Sequence, residues 1–170
     1  MIRQMQEKDL EAILRIYNEA IIHTTAVYDY HPHSLHSRKA WYEQKMKDGY
    51  PVLVYEVENR VAGFATFGPF RAWPAYKYAV EHSIYVDSAY RKKGIGSSLL
   101  EKLIAIANER GYMTLVAGID AENEKSIDIH KKFGFVHAGT IKNAGYKFSR
   151  WLDLAFYQLH LNGPENPVDG

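Results

Sequence analysis

Apolar residues first recur at helical spacing at Leu10, Ile13, Leu14, Tyr17 and Ile21, behind the polar start Glu7-Lys8-Asp9, and predict a first helix. The short run Met1 to Met5 ahead of it predicts a strand. Ser37 to Asp48 predicts a second helix closed by Gly49, and Tyr50 to Glu58 then alternates through Val52 and Val54 toward a hairpin turn at Asn59-Arg60. Val61 to Phe70 returns as the partner strand, ended or bent by Gly68-Pro69. An aromatic-rich loop, Phe70 to Tyr76, leads to a strand starting near Val80. From Ile84 to Gly111 the pattern reads strand, basic loop, helix. Beyond it Met113 to Ile119 predicts a strand, Asn123 to Phe133 a helix stopped by Gly134, and Phe135 to Thr140 and Lys147 to Leu161 two more strands. No internal repeat is present, and Asn162 to Gly170, rich in Pro, Gly and Asn, predicts a frayed tail after a single domain over 1–161.

With 170 residues, 46% of them hydrophobic and 24% charged, the chain has enough apolar mass for one globular core. The absence of cysteine excludes disulfides and any Cys-based acyl-enzyme. No run reaches the roughly 18 apolar residues of a membrane span, and Met1-Ile2-Arg3-Gln4 lacks the apolar core of a signal peptide, so a cytoplasmic location is expected. Four histidines, His23, His31, His33 and His36, crowd the segment around Pro32. Their spacing fits no closed ligand set, and no paired acids accompany them, so solvated loop histidines are favoured over a metal site.

Charge matters locally. Formal net charge is only +1, yet Arg91, Lys92 and Lys93 stand together before Gly94, Ile95, Gly96 and Ser97. A helix starting near Gly94 turns unpaired backbone N–H groups and its dipole toward the preceding strand, which makes an anion site, and glycines let a ligand approach the backbone. So local a cluster argues for a small anionic ligand rather than for nucleic acid, which needs a broad basic face. A dinucleotide fingerprint would want a small residue at Leu99 and leaves the three cations unexplained, although Asp120 at a later strand end favours it. A P-loop would need Gly-Lys-Ser/Thr where Gly96 is followed by Ser97.

Arg91-Lys92-Lys93-Gly94-Ile95-Gly96 resembles the Arg/Gln-x-x-Gly-x-Gly/Ala signature of the GNAT superfamily of N-acetyltransferases, and Asn123-x-x-Ser126 followed by Lys132-Phe133-Gly134-Phe135 resembles its next motif. Phe67-Gly68-Pro69-Phe70-Arg71, Val80 to Val86, and Gly145-Tyr146-Lys147 with Trp151 and Asp153 are similar to the branch of phosphinothricin and methionine sulfoximine acetyltransferases. The resemblance, from about Ile2 to about Leu161, implies an α/β (α+β) fold: a mixed, mostly antiparallel central sheet flanked by helices and split at the strand holding Ile84 to Val86, with acetyl-CoA in the split. It puts the pyrophosphate on the amides of Lys92 to Ser97 beside Arg91, the thioester beside Ile84, Tyr85 and Val86, and Asn123 and Ser126 on the cofactor. For Asn123 a helix N-cap is an equal alternative.

Aminolysis of a thioester needs a neutral amine, a held oxyanion and a leaving thiolate, and alkyl amines are protonated at pH 7, so a base is required. The branch's base corresponds to Glu81, and its likeness implies a backbone N–H near Val86 as oxyanion donor. His130 stands where many superfamily members have a tyrosine acid; general acid and packing residue are both open. Arg71 and Trp73 are the candidates for acceptor binding, a cation for an acid group and an aromatic wall, with Thr24, Thr25, Lys147 and Arg150 secondary. Phe148 and Leu152 replace histidines common in phosphinothricin-selective members, which leaves methionine sulfoximine or a related amine more open. The expectation is direct transfer in a ternary complex to a small amino-acid-like amine, without metal, nucleic acid or membrane, with a homodimer suggested by the family. A protein or peptide acetyltransferase, disfavoured by the bulk of Phe70, Trp73 and Tyr76, and a non-catalytic CoA-binding module are the alternatives.

Overall fold

The computed structural model describes all residues, 1–170. In chain order the elements are β1 (Ile2–Gln4), α1 (Leu10–His23), α2 (Leu35–Asp48), β2 (Val52–Val57), β3 (Arg60–Pro69), β4 (Ala79–Val86), α3 (Ile95–Glu109), β5 (Thr114–Asp120), α4 (Glu124–Lys132), β6 (Val136–Lys147) and β7 (Arg150–His160), with single 3₁₀ turns at Glu7–Asp9, Pro74–Tyr76 and Ser88–Tyr90. The strands form one seven-stranded sheet in the order β1-β2-β3-β4-β5-β7-β6. The pairings β1 with β2, β2 with β3, β5 with β7 and β6 with β7 are antiparallel. The parallel pair, β4 with β5, is registered over Ala79↔Thr114, Val80↔Leu115 and Glu81↔Val116 and stops there. The expected mixed, mostly antiparallel α/β fold is therefore present.

Two compact units share the chain, residues 1–67 with 83–100, and residues 68–82 with 101–170. In the first, α1 buries Leu10, Ile13 and Ile16 against Val52, Val54, Val61 and Phe64 of the strands; the patterns had marked Leu10, Ile13, Val52 and Val54 but not Ile16, while Leu14 and Tyr17, which they had marked, are only half-buried. Ser34 caps α2 by accepting from the Ser37 amide, so the helix begins at Leu35, two residues earlier than the predicted start at Ser37. Gly49 ends it at φ 75°, as predicted. Glu58 and Asn59, both with positive φ, make the two-residue turn between β2 and β3.

In the second unit the pattern reading needs correction. The strand expected over Phe135 to Thr140 runs on to Lys147, and the last strand starts at Arg150 rather than Lys147. Register shifts between His137 and Gly139 and between Ile141 and Gly145 break the alternation that would have revealed a 12-residue strand. Asn143-Ala144-Gly145 looks like a turn but is absorbed in the second of these irregularities, Asn143 taking φ 53°. The hairpin turn is Phe148-Ser149, both left-handed. After β7 the Asn162 amide donates to Asn108 and the Val168 amide to the Tyr78 hydroxyl.

Candidate active site

The first unit holds the glycine loop. Asp87 organises its approach: the Asp87 carboxylate accepts from the Ala89 amide at 2.9 Å and from Arg15 at 2.7 Å. Burial pushes that carboxyl up, but these bonds and the Arg15 charge hold it below the usual range. The chain then turns through Lys92 and Gly94, at φ 64° and 77°, before α3 starts at Ile95. A left-handed lysine costs about 1 kcal/mol or more, and such strain collects where a loop must aim its backbone. The Ser98 amide is the one that reaches back to the Gly94 carbonyl, so the amides ahead of it have no acceptor within the helix. Arg91, Lys92 and Lys93 are exposed around them. At Gly96 an added Cβ would meet only a Val86 methyl at 3.8 Å, so protein packing does not demand that glycine. Tyr85 packs edge-on against Tyr17 and tilted against Phe64, which anchors the segment Ile84 to Val86.

The second unit holds the acid. Glu81 is half-buried on β4, opposite Val116 of β5. Burial raises its pKa above the ordinary glutamate value, and the charge of Arg71 only partly opposes this. Its Oε2 rests 3.0 Å from where a Cβ on Gly118 would stand. Arg71 is exposed, donates to its own neighbour's carbonyl at Phe70 and lies 4.2 Å over that ring. Trp73 is 76% exposed on the loop ahead of β4. An apolar cavity of about 510 Å³ opens on this face, lined among others by Phe70, Tyr76, Ala79, Val116, Ile141 and Phe156. Ala79 and Val116 bring it next to Glu81, the first two residues before it on β4 and the second its pairing partner.

His130 is buried on α4. Its Nδ1 donates to the Ser126 carbonyl at 2.7 Å, and its Nε2 lies 2.9 Å from Nε2 of His82, the two rings stacked. Because His130 Nδ1 carries the proton, the short contact requires His82 Nε2 to be the donor. Burial, reinforced by the neighbouring imidazole, pushes His82 down to about 3, and burial lowers His130 as well, so the pair is held uncharged. Asn123 caps α4, its side-chain oxygen accepting from the Ser126 amide at 3.2 Å, which leaves its amide hydrogens available to a ligand.

Residues 10–135 match the model of the Acetyltransferase (GNAT) family. The chain belongs to that family. An N-acetyltransferase from Staphylococcus aureus Mu50, known from its crystal structure, is 59% identical and superposes with a TM-score of 0.95 over 95% of this chain and 98% of that one. The L-methionine sulfoximine/L-methionine sulfone acetyltransferase of Salmonella typhimurium is 43% identical over 161 residues, 95% of this chain and 94% of the relative. A GNAT superfamily phosphinothricin acetyltransferase from Sinorhizobium meliloti, crystallised in complex with AcCoA, is 34% identical with a TM-score of 0.95, over 100% of this chain and 94% of that one.

In this GNAT chain the secondary acceptor candidates divide. Lys147 is buried, and Arg150 pairs with Glu122 at 3.0 Å. Leu152 is a core residue at 1% exposure, while Phe148 stands out at the hairpin tip. His33 of the histidine-rich segment is pinned by Asp29 at 2.7 Å. Two residues went unnoticed in the sequence. His82 reads as an ordinary strand residue, and its pairing depends on a helix 48 positions away. Gly118 did leave a signal, a glycine inside an apolar strand, which marks a bulge or a close approach.

Proposed function

We propose that this protein is an acetyl-CoA-dependent N-acetyltransferase that acetylates the α-amine of a small amino-acid-like acceptor, of the methionine sulfoximine or phosphinothricin kind, by direct transfer. The observation that carries the reading is the half-buried, unpaired Glu81, on the same strand that runs through Ile84 to Val86 into the glycine loop. The pyrophosphate of acetyl-CoA takes the amides of Lys92 to Ser97, which have no competing acceptor, with Arg91, Lys92 and Lys93 neutralising its charge. The thioester runs along Ile84, Tyr85 and Val86, and Asn123 and Ser126 serve the cofactor from the start of α4. Glu81 removes the proton from the acceptor ammonium; burial, which raises its pKa, makes it a better base than an exposed glutamate. Arg71 holds the acceptor's acid group beside Trp73, and the apolar cavity takes its side chain.

With both ring nitrogens engaged, His130 is better read as holding α4 to β4 through His82 than as the acid for the departing thiolate, since a CoA thiol is acidic enough to leave unaided. The exposed aromatics Tyr146, Phe148 and Trp151 favour a homodimer contact on the β6–β7 pair, to be tested by sedimentation. No helix is long and apolar enough to cross a membrane, and the cytoplasm is the expected compartment. Thiol release from acetyl-CoA, measured over amino acids, their sulfoximine and phosphinate analogues, polyamines and peptides, tests the acceptor class. Preference for peptides would overturn it. Gly96→Val, which has room to fold, should weaken acetyl-CoA binding by about tenfold or more in calorimetry. Unchanged affinity would remove the cofactor assignment.

A further inference from the structure

β5 is buried from Leu115 to Asp120 except at Gly118, the one residue of Thr114–Asp120 that is exposed. Its backbone does not need glycine, for its φ is not among the positive values of the chain. What a side chain would disturb is the Glu81 carboxylate. A Cβ there would lie 3.0 Å from Glu81 Oε2, with Leu154 Cδ1 at 3.5 Å and Phe156 Cε1 at 3.7 Å. The last two are ordinary van der Waals distances, so only the carboxylate would have to move.

We propose that Gly118 is a positioning residue for the reaction: the volume left by its missing Cβ is the seat of the Glu81 carboxylate, and it fixes where that group meets the acceptor amine. This deepens the reading of Glu81 as base and rests on it. A flexible glutamate on an open strand face has several rotamers, and no hydrogen-bond donor pins this one; Arg71 supplies charge alone. The open space over Gly118, with Leu154 and Phe156 also beside it, is where that carboxylate comes to rest. An added methyl would shift the acid by a few tenths of an ångström and remove it further from water; the branched side chain of valine would occupy the seat outright. Proton abstraction is sensitive to displacements on this scale.

The test uses the full-length enzyme with acetyl-CoA and L-methionine sulfoximine. Gly118→Ala should lower kcat by about five- to tenfold and Gly118→Val by about a hundredfold, with the KM for acetyl-CoA held within about twofold. The acid limb of the kcat/KM profile should move to higher pH in Gly118→Ala, a change that simple loss of stability would not produce. In a Glu81→Asp background, whose carboxylate is one methylene short of the seat, adding Gly118→Ala should cost less than about twofold. Normal kcat and an unmoved pH profile in both Gly118 variants, alongside a disabled Glu81→Gln, would overturn the proposal. A fully active Glu81→Gln would instead remove the base itself.

Discussion

Asp9 in the first unit and Glu81 in the second are both acids withdrawn from water with an arginine charge nearby, and they differ in the hydrogen-bond donors around them. Asp9, 4% exposed, accepts from two nitrogens of Arg3 at 2.8 and 3.0 Å and from the Gln6 amide at 2.8 Å, and Arg3 also bonds Glu56. Burial pushes Asp9 up, but these bonds and the Arg3 charge bring it below the usual carboxylate range. Glu81 has burial without donors, and it rises. A saturated acid holds β1 and β2 to the start of α1. An unsaturated one is left with a proton affinity to use.

The largest effect should come from Glu81→Gln, which keeps size and removes the proton acceptor. Turnover should fall by about two orders of magnitude or more while acetyl-CoA binding stays near normal, and raising pH should recover part of it by supplying free amine. Near-normal turnover at neutral pH would move the base elsewhere and end the contrast with Asp9.

Arg71→Ala comes next. It should raise the KM of an acidic acceptor and lower kcat/KM by about ten- to a hundredfold, or roughly 1.5 to 3 kcal/mol, with Arg71→Lys an incomplete rescue because a point charge lacks the planar fork. Amines without an acid group should lose much less. Equal losses for both kinds of amine would make Arg71 a solvated loop residue.

Arg3→Ala should act on stability instead, by about 2 kcal/mol, because it strands two acids that are mostly withdrawn from solvent. Denaturant titration should show the loss with kcat unchanged. The pH dependence follows the signs of the two shifts. Asp9 lies below its unfolded value, so its contribution is present above the ordinary carboxylate range and fades as pH falls through the lowered folded value. Glu81 lies above its unfolded value, so its contribution is present at low pH and disappears as pH rises through the raised one.

The smallest effect belongs to His82. Held at about 3 against 6.5 unfolded, it stays neutral when folded while the unfolded chain takes up a proton, so stability should decline from pH 7.5 to pH 6 by about 1 kcal/mol for this group. His82→Phe, similar in volume, should flatten that slope in chemical denaturation. An unchanged slope would mean that the pair tolerates charge, and would weaken the contrast between paired and unpaired groups.

By itself the sequence determined the element order and the family, because both are written in local terms. Helical spacing marked α1, Gly49 and Gly134 marked stops, and Arg91 to Gly96 carried the basic glycine loop ahead of α3. Only the tertiary structure decided the rest. The long bulged β6 escaped because its register is set by β7 and not by its own alternation. The high exposure of Trp73 is likewise a property of the folded surface. The His82–His130 pair and the Glu81 seat on Gly118 join residues 48 and 37 positions apart, numbers fixed by the pairing of β4 with β5 and the packing of α4. A pKa depends on what surrounds a group in space, and a one-dimensional pattern carries hydrophobic period but not the desolvation or the missing donor that sets Glu81 apart from Asp9.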